Sequence, residues 1–112
     1  MTPDFLAPSA EADLYEAVTW LARENEAAAD ALREAALRSM RRIVERPLLG
    51  RLHPELAPPP YRFWRIANFP YLIVYNAART PPLVLRVLHM SRDLPPLLAG
   101  LADLPEREPP AR

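Results

Sequence analysis

The sequence predicts an α+β fold of two layers, in which an antiparallel helical hairpin packs on an antiparallel sheet. Two stretches before Pro47 repeat apolar residues at the three-to-four spacing of amphipathic helices. The stretch from Tyr61 to Asp93 is the only one with a strand-like pattern, and its centre is the apolar run Tyr71 to Tyr75. Because the helices precede the strands and do not alternate with them, we expect separate helical and sheet layers.

The first helix follows a short segment, Asp4 to Ala7, that lies between two prolines. A brief edge strand is consistent with this segment, because edge strands tolerate flanking proline. Ser9 is expected to cap the helix, and Glu11 and Asp13 fall in its first turn, where the helix dipole favours acids. The apolar stripe of this helix consists of Leu14, Ala17, Val18 and Leu21, with Trp20 beside it.

A second helix begins at Asn25 or Glu26 and ends before Pro47, since proline cannot continue a helix. Only a few residues join the two helices, so an antiparallel hairpin is expected. The helix dipole favours acids early and arginines late. The second helix follows that preference, with Glu26, Asp30 and Glu34 early and Arg38, Arg41, Arg42 and Arg46 late. Its apolar stripe consists of Ala28, Leu32, Ala35, Ala36, Ser39, Met40 and Ile43.

Three strands are predicted after a stiff, proline-rich loop from Pro47 to Pro60. We expect them at Tyr61 to Ile66, Tyr71 to Tyr75 and Leu83 to His89. The last strand alternates in character, and alternate residues of a strand point to opposite faces of the sheet. The alternation predicts one face with Leu83, Leu85, Val87 and His89, and another with Val84, Arg86 and Leu88.

The C-terminal part after Asp93 is short. Leu94 to Leu101 is expected to form one or two helical turns, and residues 1–104 to form a single domain followed by a disordered tail over residues 105–112. The helical hairpin covers one face of the sheet, and nothing in the chain is expected to cover the other. An uncovered apolar face commonly marks a partner site.

The amino-acid composition excludes several kinds of catalysis and binding. The formal net charge is zero, which argues against coating nucleic acid through bulk charge. All 14 basic residues are arginine, so no lysine is available as a base or phosphate ligand, and the absence of cysteine removes disulfides, thiol catalysis and thiolate metal sites. No apolar run approaches the ~20 residues of a membrane helix, and the N-terminus lacks a signal-peptide pattern. We expect a cytoplasmic protein without cofactor or metal.

His89 is the first candidate for chemistry, because it ends a predicted strand among Arg86, Ser91, Arg92 and Asp93. Histidine is the natural acid or base near neutral pH. A lone histidine is nevertheless more often structural, hydrogen-bonded to the backbone or to a carboxylate such as Asp93. The other histidine lies in the proline-rich loop, so the pair makes a weak metal site.

The arginines and aromatic residues of the predicted sheet are the second set of candidates. Four arginines there could converge on one surface and hold phosphate in a forked geometry, although each is as readily a solvated or ion-paired residue. Aromatic residues interleaved with them either stack bases or, more often, form core and partner interfaces. The arginines are Arg62, Arg65, Arg86 and Arg92; the aromatics are Tyr61, Phe63, Trp64, Phe69, Tyr71 and Tyr75.

The stretch LIVY at Leu72 to Tyr75 and the stretch LRVLHMSRD at Leu85 to Asp93 are the most telling motifs of the chain. In their order and spacing, these and two further motifs resemble the RelE/ParE superfamily, the toxins of bacterial type II toxin–antitoxin pairs. Ser9 to Leu14 is similar to the family's helix start, and Pro47 to Gly50 to its loop after the second helix. The resemblance runs from about Phe5 to Leu98 and implies that Asp4 to Ala7 is a true N-terminal strand of the two-layer fold.

Within the superfamily the chain is more similar to the ParE branch, which closes with His-x-x-Arg-Asp, as His89 to Asp93 does here. The resemblance implies a poison of DNA gyrase that works by binding, with no catalytic residue. The alternative is a ribosome-dependent mRNA endonuclease of the RelE kind, using His89, Arg65, Arg86 and Arg92. A third reading is an inactive member that only binds its antitoxin.

The resemblance also implies partners. A small antitoxin, usually with a ribbon-helix-helix DNA-binding half, wraps a C-terminal segment around such toxins, so the toxin is expected to meet nucleic acid only indirectly. Gyrase is the expected target. Eight residues are predicted to form the partner-binding surface: Arg62, Trp64, Arg65, Tyr71, Tyr75, Arg86, His89 and Arg92.

Overall fold

The computed structural model describes residues 3–106, which form two helices followed by a three-stranded sheet and a short helical end. The order of elements confirms the predicted α+β fold. The elements are α1 (Pro8–Ala22), α2 (Glu26–Glu45), β1 (Tyr61–Arg65), β2 (Tyr71–Asn76), β3 (Leu83–His89), α3 (Leu94–Leu98) and a 3-10 turn at Leu101–Asp103. No helix within the described residues is long and apolar enough to cross a membrane.

The two long helices begin in different ways. α2 begins as predicted, with the Asn25 side chain accepting the backbone N–H of Ala28 at 2.9 Å. α1 begins with Pro8 in its first turn and has no side-chain cap, so the prediction of a Ser9 cap is wrong. Ser9 is a residue of α1 itself, and its hydroxyl donates to the Leu85 carbonyl at 2.6 Å. This hydrogen bond connects the start of α1 to β3.

The sheet is antiparallel with the strand order β1-β2-β3. The N-terminal strand implied by the resemblance is reduced to one parallel bridge between Leu6 and Val84. In that bridge Val84 donates its N–H to the Phe5 carbonyl at 2.8 Å, and Ala7 donates to the Val84 carbonyl at 2.9 Å. The proline at position 8 begins α1 directly afterwards, which leaves no room for a longer strand.

A register shift opposite Val74 and Tyr75 breaks the alternation of β3. Tyr75 pairs with Val84 and Val74 pairs with Arg86, so Leu85 is an extra residue, as in a β-bulge. The predicted alternation is therefore wrong beyond this point. Val84 and Val87 enter the core under the helices, whereas Leu83, Leu85 and Leu88 enter the core on the opposite face.

The prediction of a bare second sheet face is also wrong. That face carries its own buried cluster, in which Phe63, Val74 and Leu85 of the three strands pack with Leu98 of α3 and with Leu101. The loop after α2 reaches the same face by crossing the outer edge of β1, where Arg51 and Phe63 exchange backbone hydrogen bonds at 2.8 Å. The short C-terminal helix and the loop thus form a third layer that the sequence pattern did not reveal.

The loop after α2 is fastened to the sheet by Tyr75. The Tyr75 hydroxyl donates to the Pro47 carbonyl at 2.6 Å and accepts the Gly50 N–H at 2.8 Å. Gly50 fits there because it lacks a side chain: a Cβ would lie 2.8 Å from the Tyr75 ring and 2.9 Å from the Phe63 carbonyl oxygen. At the chain end, the predicted tail lies outside the described residues from position 107 onward, and Glu106 forms an ion pair with Arg79 at 3.2 Å.

Candidate functional site

A groove of about 730 Å³ lies between α1 and the end of β3. Its α1 wall includes two large aromatic side chains that are mostly solvent-exposed, Tyr15 at 74% and Trp20 at 66%. Arg23 extends over the Trp20 ring, with its guanidinium carbon 5.6 Å from the ring centroid. Exposed aromatic surface beside a concave site is typical of partner binding.

One wall of the groove is the outer edge of β3, and α1 occupies only part of that edge. Val87 turns its N–H outward to the Asp13 carboxylate at 3.0 Å. His89, two residues further along the ladder, therefore turns its backbone groups the same way, and its carbonyl accepts the Arg92 N–H at 3.0 Å. Within residues 3–106 no strand or isolated bridge pairs with this edge after Val84, so the Val87 carbonyl and the His89 N–H have no strand partner there.

The side of the groove is held by an ion pair between α1 and β3. Asp13 accepts two hydrogen bonds from the Arg86 guanidinium, at 2.7 and 3.0 Å, in addition to the one from the Val87 backbone. Both side chains are mostly buried, with 16% and 21% exposed for Asp13 and Arg86. The hydrogen bond to Asp13 raises the pKa of Arg86 and outweighs the opposing effect of burial. Asp13 thus joins the first helix to the bulged part of the last strand.

His89 is held in one orientation at the open end of the groove. Its Nδ1 accepts the Ser91 backbone N–H at 3.0 Å and lies 2.7 Å from the Ser91 hydroxyl. Because the Nδ1 lone pair is used, the neutral ring carries its proton on Nε2 and offers that N–H as a donor. Tyr71 meets the ring edge-on at 5.0 Å, and burial, followed by the nearby Glu16 charge, raises the pKa of Tyr71.

The eight residues predicted to form one partner surface lie in different places. Tyr71, His89 and Arg92 line the groove, with Arg86 fixed beside it. Arg62 donates to the Gly50 carbonyl at 2.8 Å, and Tyr75 is fully buried against the same loop. Trp64 packs under Arg42 at 5.4 Å, and Arg65 is exposed at the end of β1.

The sequence interpretation missed the α1 wall. The sequence predicts Asp13 only as an acid of the first turn, whereas α1 begins at Pro8 and places it in the second turn, and its partner Arg86 is 73 residues away. A signal did exist for the rest of the wall. Ala12, Glu16, Thr19 and Arg23 repeat at three-to-four spacing outside the apolar stripe of α1, and Tyr15 and Trp20 flank them.

A comparison with protein families matches residues 5–94 to the ParE toxin of the type II toxin–antitoxin system parDE. The chain belongs to the ParE toxin family. The resemblance to the RelE/ParE superfamily is thereby confirmed, and the match covers both long helices, all three strands and every residue that lines the groove. A comparison with curated proteins found no match.

As a member of the ParE toxin family, the chain is the toxin of a type II toxin–antitoxin pair. Membership of this family implies an antitoxin partner. The groove contains a strand edge without a strand partner within residues 3–106, exposed aromatic rings, a fixed imidazole donor and two arginines, which together suit a peptide segment. Within residues 3–106 no group of three or more histidine and acidic side chains is arranged to hold a metal ion.

Proposed function

We propose that this ParE-family toxin inhibits DNA gyrase by binding and that a cognate antitoxin neutralises it. The observation that carries the proposal is the family match over residues 5–94, which covers the whole groove. The expected antitoxin is of the ribbon-helix-helix type, with a separate segment for the toxin. The fixed His89 and the exposed Trp20 give the groove the character of a binding surface.

The arrangement of the nuclease candidates supports binding over RNA cleavage. Arg86 forms an ion pair with Asp13. Arg65 lies opposite Leu72, which in turn lies opposite Leu88, so Arg65 is on the sheet face that carries the second core. His89 instead packs with Tyr71 beside α1. The Nδ1 lone pair of neutral His89 accepts the Ser91 N–H and is therefore engaged in this arrangement, which does not favour a general base.

We further propose that the antitoxin segment occupies the groove and extends the sheet along β3. The Val87 carbonyl and the His89 N–H would exchange hydrogen bonds with an extended chain, while Tyr15 and Trp20 would cover its apolar side chains. Arg23, Arg92 and the His89 Nε2–H outnumber the single unpaired carboxylate of Glu16 on this surface, which favours a segment with acidic residues.

A gyrase assay tests the proposed target. Purified toxin is expected to inhibit supercoiling by gyrase or to trap cleaved DNA, and prior addition of the antitoxin is expected to restore activity. Unchanged supercoiling and cleavage at a large molar excess of toxin would contradict the gyrase proposal.

The two alternatives have their own readouts. Toeprinting on translating ribosomes would reveal mRNA cleavage if the toxin were a RelE-like endonuclease, and a fully active His89→Ala variant would exclude that residue from such a reaction. Harmless overexpression in a host without the antitoxin would instead indicate a member that only binds its antitoxin.

A further inference from the structure

The second half of α2 carries a line of arginines that no carboxylate of the described chain neutralises. Arg38, Arg42 and Arg46 follow one another at intervals of four residues, and Arg41 flanks them. All four are exposed, and none forms an ion pair within residues 3–106. We define the arginine ridge as Arg38, Arg42 and Arg46.

The helix dipole accounts for only part of this ridge. The stabilising effect of a cation at a helix C-terminus falls off within the last turn. Arg42 lies in that turn and Arg46 follows the helix end, but Arg38 lies a full turn earlier. The net charge of the whole chain is zero, but its charges are unevenly distributed along the sequence. Residues 38–65 contain seven arginines and only two acids, Glu45 and Glu55.

The length of the ridge spans several charges of a regular line of phosphates. A helix rises about 1.5 Å per residue, so neighbouring ridge arginines are about 6 Å apart and the ridge is about 12 Å long. One strand of duplex DNA carries a phosphate for about every 3.4 Å of helix axis, so several phosphates lie within reach of such a ridge. Guanidinium groups bind phosphate oxygens in a forked geometry.

We propose that the arginine ridge binds the phosphate backbone of duplex DNA. Single strands are a poorer fit, because proteins that bind them stack bases on open aromatic rings. Among residues 3–106 the aromatic ring stacked by a ridge arginine is that of Trp64, which is partly buried and lies 5.4 Å, at its centroid, from the Arg42 guanidinium. The evenly spaced line of arginines also fits a regular polyphosphate better than the irregular carboxylates of an acidic protein.

This DNA contact goes beyond the proposed function and does not depend on gyrase being the target. It departs from the expectation that the toxin meets nucleic acid only indirectly, which rested on the DNA-binding half of the antitoxin and agreed with the zero net charge of the whole chain. A toxin that holds duplex DNA would be concentrated where DNA-bound enzymes work.

The test measures binding of the purified full chain to a fluorescent DNA duplex by anisotropy over a range of salt concentrations. Each phosphate contact contributes about 0.9 to the slope of log affinity against log salt. The single variants Arg38→Gln, Arg42→Gln and Arg46→Gln are each expected to reduce that slope by about 0.9, and the triple variant by about 2.7. Arg33→Gln is the matched control, because Arg33 is on the same helix but is paired with Asp30 at 3.0 Å.

Thermal unfolding of each variant checks that the fold is kept, which is expected at exposed positions. The proposal is overturned if the triple variant retains the slope of the unaltered chain, or if Arg33→Gln reduces it as much as each ridge variant does. Tighter binding to single-stranded DNA or RNA of the same length would overturn the assignment to duplex. So would binding to polyglutamate without measurable binding to the duplex.

Discussion

The Asp13 carboxylate joins α1 to β3 through three hydrogen bonds, two from Arg86 and one from the Val87 backbone. The backbone bond lies next to the β-bulge, where the extra residue Leu85 interrupts the ladder. Asp13 satisfies an outward-facing N–H of β3 with which no strand within residues 3–106 pairs.

Asp13→Ala is expected to lower the free energy of unfolding by about 1–3 kcal/mol, because a mostly buried guanidinium and a backbone N–H both lose their partner. Urea denaturation measures the effect. Asp30→Ala is the control, since Asp30 forms an exposed pair with Arg33, and such pairs contribute about 0–1 kcal/mol. Equal losses for the two variants would contradict the role given to Asp13.

Tyr75 links stability to alkaline pH. Burial raises the pKa of Tyr75 above its ordinary value of 10.0, against the opposing effects of the Gly50 hydrogen bond and Arg62. A raised pKa in the folded state means that the folded chain holds the phenolic proton more tightly than the unfolded chain does. Its contribution is complete below pH 10.0 and is lost as the pH rises through the folded-state pKa.

Tyr75→Phe is expected to reduce the loss of stability that accompanies a rise in pH above 10.0, because the phenolic proton is gone. It is also expected to lower the free energy of unfolding at neutral pH by about 1–3 kcal/mol, because the Pro47 carbonyl and the Gly50 N–H lose their hydrogen-bond partner. Unfolding by urea at neutral and alkaline pH measures both effects. Tyr15→Phe serves as the control because Tyr15 is 74% exposed. An alkaline loss as large as that of the unaltered chain would contradict the prediction.

At the scale of the element, α1 presents two opposite faces. Leu14 and Ala17 are buried in the core, whereas Tyr15 and Trp20 are exposed beside the groove. Aromatic side chains left in water contribute little to folding, and in the proposed complex they would contact the antitoxin segment.

The double variant Tyr15→Ala, Trp20→Ala is expected to keep its thermal midpoint and to bind the antitoxin at least about 10-fold more weakly, since exposed aromatic anchors commonly dominate interfaces. Titration calorimetry with the antitoxin measures the affinity. Leu48→Ala is the control: Leu48 is 70% exposed but lies in the loop after α2 and does not line the groove. Unchanged affinity in the double variant would place the antitoxin elsewhere.

At the scale of the whole molecule, the sheet lies between two cores. α1 and α2 cover one face, while α3, the 3-10 turn and the loop after α2 cover the other. The second core is small, and Leu98 and Leu101 supply it from a segment of only a few residues. The fold therefore depends on its short C-terminal end more than the element lengths suggest.

Leu98→Ala and Leu101→Ala are each expected to lower the free energy of unfolding by about 2–5 kcal/mol, as large-to-small substitutions in a packed core do. Chemical denaturation measures both. Met90→Ala is the control, because Met90 is 42% exposed. A loss as small as that of the control would mean that the third layer is dispensable.

Local patterns were enough to predict the helices and the approximate strand positions. The apolar stripe of α2 and the Asn25 cap involve residues within a turn of each other, so they are readable from the sequence. The bulge at Leu85 was not readable, because Leu83 to Leu85 are all apolar and an apolar run carries no register. The Asp13–Arg86 pair and the third layer depend on contacts distant in sequence, which periodicity cannot report.

The two outer edges of the sheet, on β1 and β3, differ in which backbone groups they leave unpaired for another chain. Arg51 already pairs with β1 at Phe63, and the segment up to Ala7 pairs with β3 at Val84. Beyond the Asp13 contact, the Val87 carbonyl and the His89 N–H are the groups of the β3 edge that pair with nothing within residues 3–106. Because so few backbone groups of the β3 edge are unpaired, this edge is a poor template for another extended chain, and aggregation through it is unfavourable. It also means that a true partner must be chosen almost entirely by its side chains.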